Sequence, residues 1–165
     1  MDLPIGTSYE AICKNFKWDI PTHFNIADAV CDRWADDPCR IAMTHESSDG
    51  TVLNYSFAQI KAYSNQLANL LGELGLQTGD RVLVMLTQSP ECAISHIGCF
   101  KAGIVSCLAS VLFGPDAIKH RLLGSGAQVC ITNQANIGKI TEVMEHCPAL
   151  QHIIVTDEDT PARAM

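Results

Sequence analysis

The sequence predicts an α/β fold: a largely parallel sheet flanked by helices, with a β-hairpin near its amino-terminal side. Three observations predict it. The first is the short apolar run Val82-Leu83-Val84-Met85-Leu86 behind the turn signal Thr78-Gly79-Asp80. A run of five, too short for a globular helix and without polar alternation, reads as a strand buried on both faces. The second is the pair of helical patterns around it, at 56–74 and 90–102. The third is the later order, in which single helices separate short strands. That order demands right-handed crossovers and parallel pairing.

The elements follow in chain order. Residues 1–24 hold Tyr9, Phe16, Trp18, Pro21 and Phe24 without a sustained period, and read as an irregular arm laid over a surface. Asn25 reads as an N-cap, followed by Ile26, Val30 and Trp34 as an apolar stripe that Pro38 stops. The spacing then predicts strands over 40–45 and 51–55, joined by a turn holding Asp49-Gly50. Ser56 and Gln59 form a capping box for a helix whose stripe is Phe57, Ile60, Leu67, Leu70, Leu71 and Leu74. Ser64, Asn65, Gln66 and Asn69 read as its wet side, and Gly75 as its left-handed stop.

After the central strand, Ser89-Pro90-Glu91 opens a helix that Gly103 ends. Strands at 104–108, 128–132 and 152–156 alternate with helices opened by Pro115 and by Ile137. Gly124-Ser125-Gly126 reads as the turn that closes the Pro115 helix. The chain thus divides into an arm (1–24), an α/β unit (25–157) and a polar tail (158–165) that reads as a cut.

Composition excludes several functions. Net charge is −7, from 18 acidic and 11 basic residues without a basic cluster, so no nucleic-acid partner is expected. No apolar run approaches a membrane span, and Met1-Asp2-Leu3-Pro4 does not read as a signal peptide; the expected compartment is the cytoplasm. The eight cysteines, with no Cys-x-x-Cys pair, fit that compartment as free thiols. Cys92, His96 and Cys99 could share a helix face, but no second ligand pair accompanies them, so no metal is expected.

Site motifs are equally sparse. Gly138-Lys139 lacks the glycine and hydroxyl residues of a phosphate loop, and Gly124-Ser125-Gly126 ends a helix where a phosphate needs a helix start. No Gly-x-Ser-x-Gly elbow occurs. Asp36-Asp37 and Asp157-Glu158-Asp159 read as solvated acids, and His45 as structural. No catalytic residue is assigned.

The order of segments nevertheless resembles the N-terminal subdomain of the adenylate-forming acyl-CoA synthetases, in the short- and medium-chain or aromatic acyl-CoA ligase branch. The resemblance runs from about 24 to 157. It rests on Phe24 to Ala27 with Cys31 to Ala35, on Asn54 to Ile60, and on Gly79-Asp80-Arg81-Val82 with Ser89-Pro90-Glu91. It continues through Phe100-Lys101-Ala102-Gly103, Ser110 to Ala117 with Arg121-Leu122, and Ser125 to Val129. Gln88 and Leu108 depart from the family's usual Asn and Pro.

The resemblance implies an incomplete part of a larger adenylate-forming fold. The whole enzyme would use ATP, magnesium and coenzyme A to convert a small carboxylic acid to its acyl-CoA. The family's phosphate loop, nucleotide motif and catalytic lysine fall outside this chain, so the fragment is expected to be inactive alone and to bind no cofactor itself. Its expected partner is the remainder of the same polypeptide, with a homo-oligomer as a further possibility where cut surfaces stay uncovered. The resemblance places Phe113 and Gly114 on the coenzyme A side and makes Lys139 the available phosphate contact. The opposing reading is that Phe113 packs and Lys139 is solvated. Arg81 and Arg121 are read as structural partners of acids such as Asp80 and Asp116. Two alternatives remain: a stand-alone α/β binding or interaction module, and an unrelated doubly wound nucleotide-binding domain. The reading frame after Met165 separates a truncated ligase from the module.

Overall fold

The computed structural model describes residues 8–18 and 20–157. The arm's residues 1–7 and 19, and the tail at 158–165, lie outside the described residues. Six helices and six strands follow in order: α1 (Tyr9–Asn15), α2 (Ile26–Val30), β1 (Ile41–Glu46), β2 (Val52–Ser56), α3 (Phe57–Glu73), β3 (Arg81–Met85), α4 (Pro90–Lys101), β4 (Val105–Leu108), α5 (Pro115–Ser125), β5 (Val129–Thr132), α6 (Ile137–Met144) and β6 (His152–Val155).

Strands β3 to β6 form one parallel sheet in the order β4-β3-β5-β6. Because side chains alternate along a strand, β3 feeds two cores at once. Val82 and Val84 join Val129 and Ile131 beneath Leu71, Cys92 and Cys99 of α3 and α4. Leu83 and Met85 join Cys130 beneath Ile118, Leu122, Ile140 and Val143 of α5 and α6. The run from Val82 to Met85 is at most 1% exposed, as a strand covered on both faces requires. The hairpin does not extend this sheet. β1 and β2 pair antiparallel as a separate two-stranded sheet, with the tip at Gly50 in the left-handed region (φ 83°).

Three expectations are corrected. The arm is not wholly irregular: Ser8 caps α1, its hydroxyl accepting from the Ala11 amide at 3.2 Å, although α1 buries no residue. Asn25 does cap α2, but Ile26, Val30 and Trp34 do not form its buried stripe. The helix breaks at Cys31, a 3₁₀ turn over Asp32–Trp34 follows, and the buried pair is Ala27 and Cys31. α2 lies against α4. Trp34 instead lies under two guanidinium groups, Arg33 at 4.6 Å and Arg40 at 4.9 Å. Ser64 is buried, not wet, and its hydroxyl donates to the Ile60 carbonyl at 2.6 Å. α3 and α4 approach so closely that a Cβ on Gly98 would meet Leu67 at 2.8 Å.

Two polar clamps lock the layers. The Arg81 guanidinium donates to the Ser125 and Gly126 carbonyls, at 2.9 and 3.1 Å, and stands 3.8 Å from Asp80. A cation thereby satisfies the carboxyl end of α5. Asp80 in turn accepts from the Gln77 amide and from Gln128, each at 2.7 Å. The second clamp is the Lys101 ammonium, 2.8 Å from Asp32 and hydrogen-bonded to Asn65 (2.6 Å) and the Lys61 carbonyl (3.2 Å). It ties α4 to α3 and to the 3₁₀ turn. Gly-Asp-Arg and Lys-Ala-Gly therefore have folding roles here that need no ligand.

Gly126 sits at φ 60°, and a Cβ there would stand 2.8 Å from the Arg81 guanidinium. Gly126→Ala is expected to destabilise the fold by about 1–3 kcal/mol, through left-handed strain and loss of the clamp. A urea midpoint unchanged from wild type would contradict this.

Candidate functional site

Parallel sheets take ligands at the carboxyl ends of their strands. Here those ends carry the loop after β4, the turn at 133–136 after β5, and Ser89 at the start of α4. The Thr132 hydroxyl donates to the Met85 carbonyl at 3.1 Å and holds the ends of β5 and β3 together. At the start of α6, Asn136 is buried and donates to the Asn133 side chain at 2.7 Å.

The loop after β4 contains Phe113 and Gly114, and α6 brings Lys139 to it. The Lys139 ammonium donates to the Val111 carbonyl at 2.6 Å. Phe113 is half-buried against the α5–α6 core, and the Arg121 guanidinium lies 4.7 Å from its ring centroid. Gly114 occupies the N-cap of α5 and brings no side chain; its carbonyl accepts from the Ile118 amide at 3.1 Å. The three candidate residues thus stand on one loop and its lysine brace. Lys139 is neither a plain solvated residue nor a free cation, because a carbonyl holds its amine. Arg121 does not pair with Asp116, as expected from sequence; it stacks on Phe113 instead. Spacing alone hides that contact, since eight residues and a helix start separate the two.

Beside this loop a groove of about 800 Å³ runs along α5. Leu83, Cys107, Leu108 and Phe113 form its apolar floor, and Asp116, His120 and Arg121 its polar rim. On the opposite face a crevice of about 420 Å³ lies between the hairpin and α4, bordered by His45, Gln88, Cys92 and His96. His45 is paired with Leu53 in the hairpin ladder. The His96 Nδ1 is 2.6 Å from the Ser106 hydroxyl, so the ring links α4 to β4. Burial lowers the His96 pKa from its ordinary value. Cys99 is fully buried and its thiol is pushed up to about 12 by desolvation, far from thiolate chemistry. Among the described residues no group of three or more His, Cys, Asp or Glu side chains converges as a metal site. The acids read as solvated serve turns: Asp36 accepts from the Asp37 amide, Asp37 from the Cys39 amide, and Asp157 from the Gln134 amide.

This sheet, hairpin and loop arrangement is shared with solved acyl-CoA synthetase and CoA ligase structures. A sequence profile described as "AMP-binding enzyme" matches residues 28–165, and the chain belongs to that family. Among curated relatives, human acyl-coenzyme A synthetase ACSM3, mitochondrial, is 29% identical over 161 residues, covering 93% of this chain and 28% of that protein. Human acyl-coenzyme A synthetase ACSM2B, mitochondrial, is 31% identical over 150 residues, covering 85% and 26%. Among solved structures, an acyl-CoA synthetase of Brucella canis superposes with TM-score 0.77 at 27% identity, over 87% of this chain and 25% of that one. The anthranilate CoA ligase AuaEII, solved with anthranoyl-AMP, superposes with TM-score 0.71 at 27% identity, over 84% and 26%. The chain therefore spans about a quarter of the length of the relatives it matches. No helix among the described residues is long and apolar enough to cross a membrane.

The lowered His96 pKa has a sign. The unfolded state takes up its proton first as pH falls, so stability present above the ordinary histidine value is lost as pH drops through the folded value. Urea midpoints are expected to fall between neutral and mildly acidic pH, and His96→Gln to flatten part of that slope. An identical slope in the variant would contradict the assignment.

Proposed function

We propose that this chain is the N-terminal part of an ATP-dependent acyl-CoA synthetase. In the whole enzyme a carboxylate and ATP give an acyl-adenylate and pyrophosphate; coenzyme A then displaces AMP. The observation that carries the reading is the family match over residues 28–165, with the same fold making up about a quarter of a longer acyl-CoA synthetase chain. The division into arm (1–24), α/β subdomain (25–157) and tail (158–165) belongs to this proposal, as does the use of ATP, magnesium and coenzyme A. A short- or medium-chain or aromatic acid is the proposed acyl class, on the branch the sequence resembles and on the anthranilate CoA ligase among the similar structures. The cytoplasm is kept as the proposed compartment on the free thiols, although the curated relatives are named as mitochondrial.

The chain alone does not catalyse adenylation in this reading. On the resemblance, the phosphate loop, nucleotide motif and catalytic lysine that adenylation uses fall outside these 165 residues. ATP–pyrophosphate exchange with short- and medium-chain acids is expected to stay at background. Carboxylate-dependent exchange by the purified chain would overturn the reading.

Phe113, Gly114 and Lys139 are the proposed coenzyme A side. Support comes from their place on the loop after β4: the Lys139 ammonium holds the Val111 carbonyl there, Gly114 is exposed, and the Phe113 ring carries the Arg121 guanidinium. In the whole enzyme of this reading, Lys139→Met is expected to raise the KM for coenzyme A several-fold while carboxylate-dependent ATP–pyrophosphate exchange stays unchanged. An unchanged KM for coenzyme A would remove the assignment.

The stand-alone interaction module is the second reading. The two closed cores on either side of the sheet favour it, because they need no further chain to be buried.

A further inference from the structure

β4 is one of the two edges of the parallel sheet among the described residues, β6 being the other. The Val105 amide donates to the Asp80 carbonyl at 2.8 Å and the Ala109 amide to the Val84 carbonyl at 2.9 Å. In a parallel ladder these alternate residues face the partner strand, so the Ser106 and Leu108 amides and carbonyls point outward. The edge is also apolar. Val105 is 51% and Leu108 64% exposed, without the inward charges, proline or bulge that blunt an edge. Beside it lies the groove along α5, with a floor of Leu83, Cys107 and Phe113.

The edge is complementary to itself. A twofold axis at Cys107 sets Ser106 against Leu108 of the second copy, and Leu108 against Ser106. Those are the outward-facing residues, so each opposed pair exchanges two backbone hydrogen bonds. The rim of α5 carries both signs, Asp116 near its start and Arg121 further on, and among the described residues neither makes an ion pair. Antiparallel copies turn the Asp116 end of one α5 toward the Arg121 end of the other. Isologous pairing of this kind closes after two chains.

We propose that in solution this chain forms a twofold dimer through antiparallel pairing of β4, with Cys107 on the axis. This goes beyond the ligase reading and concerns the chain of 165 residues by itself. In such a pair the two Cys107 Cα atoms form a non-hydrogen-bonded contact about 4.5 Å apart, inside the disulfide range of about 4.4–6.8 Å. Their side chains lie on the same face of the joined sheet.

The chain is examined by light scattering and by diamide oxidation. Diamide takes two electrons and two protons from two thiols, two S–H bonds break, and one S–S bond forms. The expected mass is twice 17.9 kDa. In a background with the exposed thiols removed, Cys13→Ser with Cys39→Ser, diamide is expected to yield a covalent dimer that Cys107→Ser abolishes while the scattering mass stays doubled. Leu108→Lys is expected to weaken the dimer about tenfold or more while circular dichroism stays native. Arg121→Asp weakens it, and adding Asp116→Arg restores it. A monomer at the highest soluble concentration, an open-ended series of oligomers, or a covalent dimer that survives Cys107→Ser would overturn the proposal.

Discussion

The fold depends on the burial of β3 from both sides. Four residues, Val82 to Met85, alternate between two cores and leave no face for water. That constraint dictates the rest of the architecture. Helices must cover each face, so α3 and α4 lie on one and α5 and α6 on the other. Neighbouring strands must pair with both edges of β3, so β4 and β5 flank it. The clamp at Arg81 then fixes the entry of β3 against the carboxyl end of α5, which sets the height of the loop at the far end of that helix. The placement of Phe113, Gly114 and Lys139 follows from packing decided around β3.

Most of the fold was legible because its signals are local. The Ser56–Gln59 capping box forms as expected, with the Ser56 amide donating to Gln59 at 2.8 Å and the Gln59 amide to Ser56 at 3.3 Å. Ser89, Gly75, Gly103 and Gly126 also act where their chemistry places them. Two misreadings, at Trp34 and Ser64, turned on a close approach between elements distant in sequence, whereas the unexpected α1 and the Arg121 contact are local. Trp34 matched a helical period, but α2 lies so near α4 that Ala27 and Cys31 became the buried pair. Ser64 looked polar, yet it lies buried in α3, the helix that crowds α4. Arg121 had an acid five residues away and found a ring instead.

The candidate site was legible only through resemblance. Lone residues such as Lys139 carry no local signal, and its hydrogen bond to Val111 spans 28 positions. Nor could composition separate motif residues that fold the chain from residues that meet a ligand. Lys101 and Arg81 stand in the most recognisable segments, yet each spends its charge on backbone carbonyls, an acid and, for Lys101, an amide side chain. Marker motifs in this region therefore identify ancestry more directly than chemistry.

The strand order also has a consequence for synthesis. β4 follows β3 closely, but the Thr132 hydroxyl that meets Met85 arrives 47 residues after it. On a ribosome extending by about 5–20 residues per second, that interval is roughly 2–9 s. Throughout it, one edge of the most apolar strand in the chain has no neighbour. The nascent protein passes through a state that exposes its own centre, and the speed with which β5 closes that gap governs how much of it escapes misassembly.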